Sequence, residues 1–402
     1  MKNPPEISVV ITFFREGRLL RESIDSVLNQ TFQDFEIVLV DNNASPETRS
    51  VADFYQKKEP DRIRIVHEPV QGMCSAKNAG ILQSRGIYIA LLDGDDLMKP
   101  DRLQHQRDIL ISRPDLSLVT CAYDRISHDG LKVLEERVYS PTLQSAMWQS
   151  LEQEFAKLYG HSFPDSHVKT FSLTIPSTFF LRKETAMNAG LFDIRLNPRW
   201  CEDYEFQTRL FLQGPFYRIP DPLIGYRAAS LDAQRVKEQQ ISGFERYWQD
   251  QRFFTILWEN FSGFGPETQA ALKKIRSLWL KSVGLHFIGY QEGARIVRTL
   301  FKRSLLSHPG DRGIWKLFLK SLAPTFLQSR LFWMKTVQKA EWIRNEPEFG
   351  QKFLSWPPQF PPAAKEVRKE TPPASNDPGQ AHGQAMKRKD RLLSIRAVPL
   401  QH

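Results

Sequence analysis

Short apolar runs alternate with amphipathic stretches through the first hundred residues. Ile7–Thr12 (ISVVIT) is β-branched and free of charge, which predicts a strand buried on both faces. Arg18–Leu28 then places Leu19, Leu20, Ile24, Val27 and Leu28 at helical spacing. Phe35–Val40 (FEIVLV) predicts a second buried strand ending at Asp41, and Pro46–Lys58 a helix. Arg62–His67 predicts a third strand, Ser75–Ser84 a helix, and Gly86–Leu92 (GIYIALL) a fourth strand ending at Asp93. Such alternation implies right-handed βαβ crossovers and a mostly parallel sheet flanked by helices, an α/β fold. Ligands of these sheets bind at the carboxyl ends of the strands. Asp41 and Asp93 both stand there.

The pattern continues with a helix at Leu103–Pro114 and a strand at Leu116–Tyr123. Ser127–Phe171 is more polar and less regular. A strand at Thr178–Leu181, a helix at Lys183–Ala189, a helix at Asp203–Leu212 and short strands at Phe216–Ile219 and Leu223–Tyr226 follow. Past about residue 230 the chain turns helical, basic and aromatic, from Gln234 to Arg344. Trp248, Phe253, Phe254, Leu257, Trp258 and Phe261 share helical spacing, as do Trp315, Phe318, Leu319 and Leu322. From Pro357 to His402 the apolar periodicity ends and Pro, Lys, Arg, Gln and Ser dominate, which predicts disorder. The expected domains are therefore 1–230, 231–356 and a basic tail, 357–402.

Composition narrows the partners. The 402 residues are 41% hydrophobic, with a net charge of +9 and a pI of about 9.3. That balance suits anionic partners such as nucleotide diphosphates or acidic lipids. The basic residues are dispersed and no nucleic-acid module is evident, so no nucleic-acid partner is expected. Cys74, Cys121 and Cys201 are few, odd in number and widely spaced, which argues against a disulfide framework or zinc site and for a reducing compartment. Neither a signal-peptide core nor a run near ~18 apolar residues is present. The expectation is a cytoplasmic protein, with peripheral contact at the inner face of the membrane.

Four clusters carry candidate chemistry. Asp93-Gly94-Asp95-Asp96 packs three carboxylates at the end of an apolar strand, where they repel unless a cation neutralises them. Mg²⁺ or Mn²⁺ takes such oxygen ligands and bridges to diphosphate; the competing reading is a polar turn closed by Gly94. Asp41 can accept hydrogen bonds from a base or ribose, or serve helix capping with Asn43, Ser45 and Glu47. Glu202-Asp203 can supply a general base for a sugar hydroxyl, or simply complement a helix dipole. In Gly72–Gly80 (GMCSAKNAG), Lys77 can reach a phosphate and Asn78 can hold a turn; the alternative is a solvated lysine.

Taken in order, SVVITFFRE, LLRESIDSVLNQTFQDFEIVLVDNNAS, GMCSAKNAGILQSRGIYIALLDGDDLMKPDRL and PSTFFLRKETAMNAGLFDIRLNPRWCEDYEF resemble the family 2 glycosyltransferases of the GT-A fold over about residues 6–228. The resemblance implies an inverting transferase that moves a sugar from a nucleotide-diphosphate sugar, of the UDP type, to a glycan or lipid-linked hydroxyl, as in polysaccharide or cell-envelope synthesis. It assigns nucleotide-sugar binding to Thr12, Phe13, Arg15, Asp41, Lys77, Asp93 and Gly94. It assigns Mn²⁺ or Mg²⁺ to Asp93, Asp95 and Asp96, and catalysis to Asp203 with Glu202 beside it. Arg15 stands where the family commonly has Asn, and Asn42 where it has a second Asp. The family's later His is not evident in AASLDAQR after Arg227, and no Q-x-x-R-W motif is present.

Two readings from other classes compete. One is a catalytically inactive nucleotide-binding scaffold, against which the intact Asp93, Asp95 and Asp203 set argues. The other is a nucleotidyltransferase, against which the absence of a Gly-rich basic loop at Phe13–Gly17 argues. The basic aromatic region is either an acceptor-side helical subdomain or a membrane-surface element, with Trp315–Lys335 its best candidate.

Overall fold

The computed structural model describes residues 4–138, 146–159, 167–169, 173–197, 201–227, 243–286 and 293–322. The tail expected to be disordered, 357–402, lies outside them, as does 323–335 of the candidate membrane stretch. The described residues divide into two compact units, one built from 4–138 with 167–227, the other from 146–158 with 243–322.

The first unit is a curled mixed sheet with helices on its faces. Its parallel part consists of β1 (Ile7–Phe13), β2 (Phe35–Asp41), β3 (Ile63–His67) and β4 (Tyr88–Asp93), in the order β3-β2-β1-β4. Every residue of β1 and β2 is buried, which is why neither alternates apolar with polar. The crossover helices are α1 (Arg18–Leu28), α2 (Pro46–Lys58) and α3 (Met73–Gln83). In α1, Leu19, Leu20, Ile24 and Val27 are the buried stripe that the spacing predicts. Ser45 caps α2 by accepting from the Thr48 amide, with Pro46 at the first helical position.

Antiparallel pairs extend the sheet beyond β4. β9 (Phe180–Arg182) pairs with β4 and with β6 (Leu118–Ile126); β6 runs parallel to β10 (Phe216–Arg227), and β10 pairs with the two-residue β5 (Leu97–Met98). α4 (Arg102–Ser112), α6 (Lys183–Asn188) and α7 (Glu202–Leu210) complete the unit, with a short 3-10 turn at Pro176–Thr178. The two short strands expected at 216–219 and 223–226 are one strand, β10. Its register shifts around Pro222, where proline cannot donate to the ladder. The stretch read as irregular contains β7 (Val133–Val138), β8 (Val168–Lys169) and α5 (Ala146–Tyr159). In α5, Leu151 and Phe155 are both fully buried at i, i+4 spacing, a two-residue stripe too sparse to stand out in sequence.

Among the described residues, the second unit comprises α5 and four helices: α8 (Gly243–Phe261), α9 (Pro266–His286), α10 (Gly293–Ser307) and α11 (Arg312–Ser321). Phe253, Phe254, Leu257, Trp258 and Phe261 are buried. Phe261 meets Phe155 edge-on at 5.1 Å, and Phe254 lies 5.4 Å from Trp279. The Trp279 indole donates to Asp250 at 2.7 Å, so the aromatic core keeps its polar handle satisfied. Trp315, Leu319 and Leu322 have the same helical spacing but are exposed. Spacing alone does not separate these two aromatic sets; burial does.

Candidate active site

β1 has β2 on one side and β4 on the other, so the chain leaves β1 in opposite directions to reach its neighbours. That is a topological switch point, and sheets of this kind bind their ligands in a crevice at the carboxyl ends of the strands there. Phe13 is paired with Asp41 and Thr12 with Asp93, which puts the first loop and both strand-end acids on one edge.

Asp41 is 5% exposed and engaged. Its Oδ1 accepts from the Ala44 amide at 2.8 Å and its Oδ2 from Arg49 at 2.5 Å. Asn42 shows why its position holds an amide here. The side-chain nitrogen donates to the carbonyls of Glu68 and Val70 at 2.9 and 2.8 Å, and the oxygen accepts from the Gly72 amide at 2.8 Å. A carboxylate cannot donate and would face two carbonyls. Asn42 therefore ties the end of β2 to the loop before α3.

That loop sets the next piece. Gly72 has φ +142°, and a Cβ there would lie 2.2 Å from Asn197. The close approach lets the Asn197 oxygen accept from the Cys74 amide at 3.1 Å, a cap supplied from far along the chain. Asn78 exchanges two bonds with Phe192, donating to its carbonyl at 2.9 Å and accepting from its amide at 2.8 Å. A Cβ on Gly80 would lie 2.2 Å from Val10, so α3 sits directly on the sheet. These contacts fix Lys77 between them.

Lys77 is 2% exposed, not the solvated lysine of the alternative reading. Its Nζ lies 3.6 Å from Asp93 Oδ1 and 3.6 Å from Glu202 Oε1. Both separations exceed a hydrogen bond, and neither Nζ nor Asp93 Oδ1 has a hydrogen-bond partner. Burial works against the ammonium, but the charges of Asp93 and Glu202 outweigh it and the pKa is raised. Lys77 is therefore a charged, buried cation shared by two carboxylates that are distant in sequence.

The turn after β4 is built for charge. A Cβ on Gly94 would lie 2.8 Å from the Thr12 carbonyl, so only glycine lets the two strand ends approach. The Asp96 oxygens accept from the Ser177 hydroxyl at 2.5 Å and the Arg227 amide at 3.0 Å. Ser177 accepts in turn from the Asp93 amide at 3.1 Å. Burial, with Asp95 and Asp93 nearby, raises the Asp96 pKa well above the usual range. The structure thus places Asp96 at the base of the turn, bonded to protein donors, while Asp93 and the half-buried Asp95 stand nearer the crevice.

Glu202 and Asp203 open α7, which is held from both sides. Gln207 donates to the Thr174 carbonyl at 3.0 Å and accepts from the Thr174 amide at 3.0 Å. Arg209 and Glu205 form a buried pair at 2.5 Å. Asp203 accepts from the Tyr204 amide at 2.9 Å. Burial, then the Glu202 charge, pushes its carboxyl up to about 8, and Lys77 opposes the shift.

Three contributors escape a reading by motif. Glu16 is pushed up to about 7 by burial, and by Asp95 and Asp93, while its Oε2 accepts from the Phe14 amide at 2.6 Å. Its signal was an acid directly before Gly17 at a strand-end loop. Arg102, fully buried, donates to the carbonyls of Leu91 and Phe179 at 3.1 Å and so fastens β4 to the Ser177 turn. Ser177 itself had no signal beyond a serine in PSTFF. Arg15 is exposed and stacks over Phe14 at 4.8 Å.

The residues present fit a divalent ion. Asp93 Oδ1 is a buried oxygen without a hydrogen bond, Asp95 is its neighbour in the same turn, and both are hard donors. Among the described residues no group of three or more His, Cys, Asp or Glu is gathered as a closed cage. An ion held by two carboxylates that keeps positions for water and phosphate matches that arrangement.

Residues 8–171 match the family model described as glycosyl transferase family 2. Several relatives are named as glycosyltransferases. An uncharacterized glycosyltransferase of Rickettsia prowazekii is 28% identical over 251 residues, covering 61% of this chain and 70% of that one. The uncharacterized glycosyltransferase EpsJ of Bacillus subtilis is 28% identical over 218 residues, covering 54% of this chain and 59% of its own. Among solved structures, residues 1–349 of Staphylococcus aureus TarS, in complex with UDP-GlcNAc, superpose with a TM-score of 0.52 at 14% identity, covering 86% of this chain and 92% of that one. That likeness shows the GT-A fold. No helix among the described residues is long and apolar enough to cross a membrane.

Proposed function

We propose that this protein is an inverting, metal-dependent glycosyltransferase that uses a nucleotide-diphosphate sugar of the UDP type. One observation carries the reading. Lys77 Nζ stands 3.6 Å from both Asp93 and Glu202, drawing the strand-end acids and the α7 acids around one crevice. The TarS complex with UDP-GlcNAc, on the same fold, supports the donor class.

In this reading the chain's residues divide the work. Thr12, Phe13 and Asp41 line the nucleotide end of the crevice. Gly94 keeps the turn low enough for a diphosphate to approach the backbone. Asp93 and Asp95 hold Mg²⁺ or Mn²⁺, and Asp96 positions their turn. The bound ion supplies Lewis-acid stabilisation of charge on the departing nucleoside diphosphate. Lys77 adds a fixed positive charge beside that position, 3.6 Å from Glu202. Asp203, at the N-terminus of α7, takes the proton from the acceptor hydroxyl as it attacks the anomeric carbon from the face opposite the leaving group. One base in that position inverts the anomeric centre and needs no covalent sugar–enzyme intermediate. The acceptor is a hydroxyl of a glycan or lipid-linked saccharide.

The test is Mn²⁺-dependent hydrolysis of a panel of nucleotide sugars, together with thermal stabilisation by the free nucleoside diphosphates. UDP with Mn²⁺ is expected to raise the melting temperature of wild type and of Asp203→Asn alike, with turnover lost only in the variant. The absence of a shift with every nucleoside diphosphate overturns the proposal.

A further inference from the structure

Helix α11 presents two adjacent stripes to solvent. Trp315, Leu319 and Leu322 stand at i, i+4 and i+7 and are 46%, 60% and 52% exposed. Arg312, Lys316 and Lys320 stand at i, i+4 and i+8, and all three are exposed. Ile314 and Ser321 point the other way and are buried. The helix is thus anchored by one face, apolar on the next and basic on the one beyond.

The apolar stripe is preorganised. The Trp315 indole donates to the Pro309 carbonyl at 2.9 Å, and its ring meets Phe318 edge-on at 6.3 Å. Asp311 caps the helix by accepting from the amides of Gly313 and Ile314 at 2.7 and 3.1 Å. A rigid Trp–Leu–Leu stripe held in water costs free energy that a partner recovers on contact. From Gly293 to Leu322 the chain has seven Lys or Arg and one acid, Asp311, a net of +6. The partner must therefore be apolar at one depth and negatively charged at the next. Ten residues of helix span only about 15 Å, too short to cross a bilayer and long enough to lie on it.

We propose that α11 is a membrane-surface element for anionic bilayers. Trp315, Leu319 and Leu322 enter the boundary between headgroups and acyl chains, where indole rings favour the interface. Arg312, Lys316 and Lys320 meet the lipid phosphates. The inference is independent of the transfer reaction.

The experiment is co-sedimentation of the full chain with vesicles of phosphatidylcholine alone or with phosphatidylglycerol added. Wild type is expected to pellet with the anionic vesicles and to be released by salt. The Arg312→Glu/Lys316→Glu/Lys320→Glu variant is expected to bind about tenfold or more weakly, since each basic residue near an anionic surface contributes severalfold. Trp315→Ser/Leu319→Ser is expected to lose about tenfold as well. Leu82→Ser, which changes an exposed leucine of the sheet unit, is expected to bind like wild type. All the substituted positions are exposed, and unchanged melting temperatures verify folding. Wild type left in the supernatant with anionic vesicles overturns the proposal, as does undiminished binding by the charge-reversed variant. Sedimentation showing a wild-type dimer, with Trp315→Ser/Leu319→Ser monomeric, assigns the stripe to self-association and equally overturns it.

Discussion

The sheet unit and the helical unit use their buried polar groups differently. In the sheet unit such groups bind backbone far away in sequence. Asn42 holds the loop before α3, Asn197 caps α3, Arg102 ties β4 to the Ser177 turn, and Gln207 fixes α7 to Thr174. In the helical unit, the bonds of Ser277 to Ser304 and of Trp279 to Asp250 join neighbouring helices, while Trp315, Leu319 and Leu322 face solvent. The first pattern makes a preorganised crevice. The second makes a supported surface. Function follows from where the polar groups are committed.

The largest expected effect tests that contrast directly. Asp203→Asn is expected to cut turnover by about 10²–10⁴-fold, the usual contribution of a positioned base, while retaining nucleotide binding. Arg312→Glu/Lys316→Glu/Lys320→Glu is expected to leave hydrolysis of a soluble donor within about twofold, because the three side chains are exposed and none belongs to the candidate site. Hydrolysis rates and nucleotide-induced melting shifts check both.

Glycines give the next test. Gly72→Ala must adopt φ +142° and collide with Asn197 at 2.2 Å, so it is expected to cost about 2–4 kcal/mol in denaturant unfolding. Gly263→Ala, in the helical unit, meets nothing within 4 Å and is expected to fall within about 0.5 kcal/mol of wild type. Equal losses would show that α3 is not held as its contacts imply.

Protonation is a finer probe. Asp203 must be unprotonated to act as a base, and its carboxyl is pushed up to about 8, so the acidic limb of kcat/KM is expected near that pH, with activity rising as pH rises. Lys77→Met removes the cation that opposes the shift and is expected to move the limb upward, with Lys77→Arg intermediate. Stability follows the opposite sign. The folded state holds this proton up to about 8 and the unfolded chain only to the ordinary aspartate value of 3.8, so the contribution is full below about 4 and lost as pH rises through 8. Asp203→Asn is therefore expected to show a smaller fall in melting temperature between pH 5 and 9 than wild type.

Much of the fold was legible because strands buried on both faces and amphipathic helices each have a periodic signature. α1 and α2 begin and end where the spacing places them. Motifs at strand ends pointed to Asp41 and Asp93, and an acidic pair at a helix start pointed to Glu202 and Asp203. Asn42 departs from a family pattern, and its bonds to Glu68, Val70 and Gly72 explain it only once the loops are in place. Glu16 was passed over because an isolated acid before a glycine has no periodicity and no partner in sequence. The exposure of Trp315 was hidden because a helix stripe looks the same whether it faces a core or water.

The sequence by itself determined the order of strands and helices, the acids at the strand ends and the basic character of the helical region. These follow from local spacing and composition, which a linear chain carries in full. Tertiary structure alone decided that Lys77 is buried between Asp93 and Glu202, that Asp96 is bonded into its turn, and that Trp315 faces solvent. Each depends on segments separated by many residues meeting in space, where desolvation and Coulomb interaction act on distance, not on sequence position.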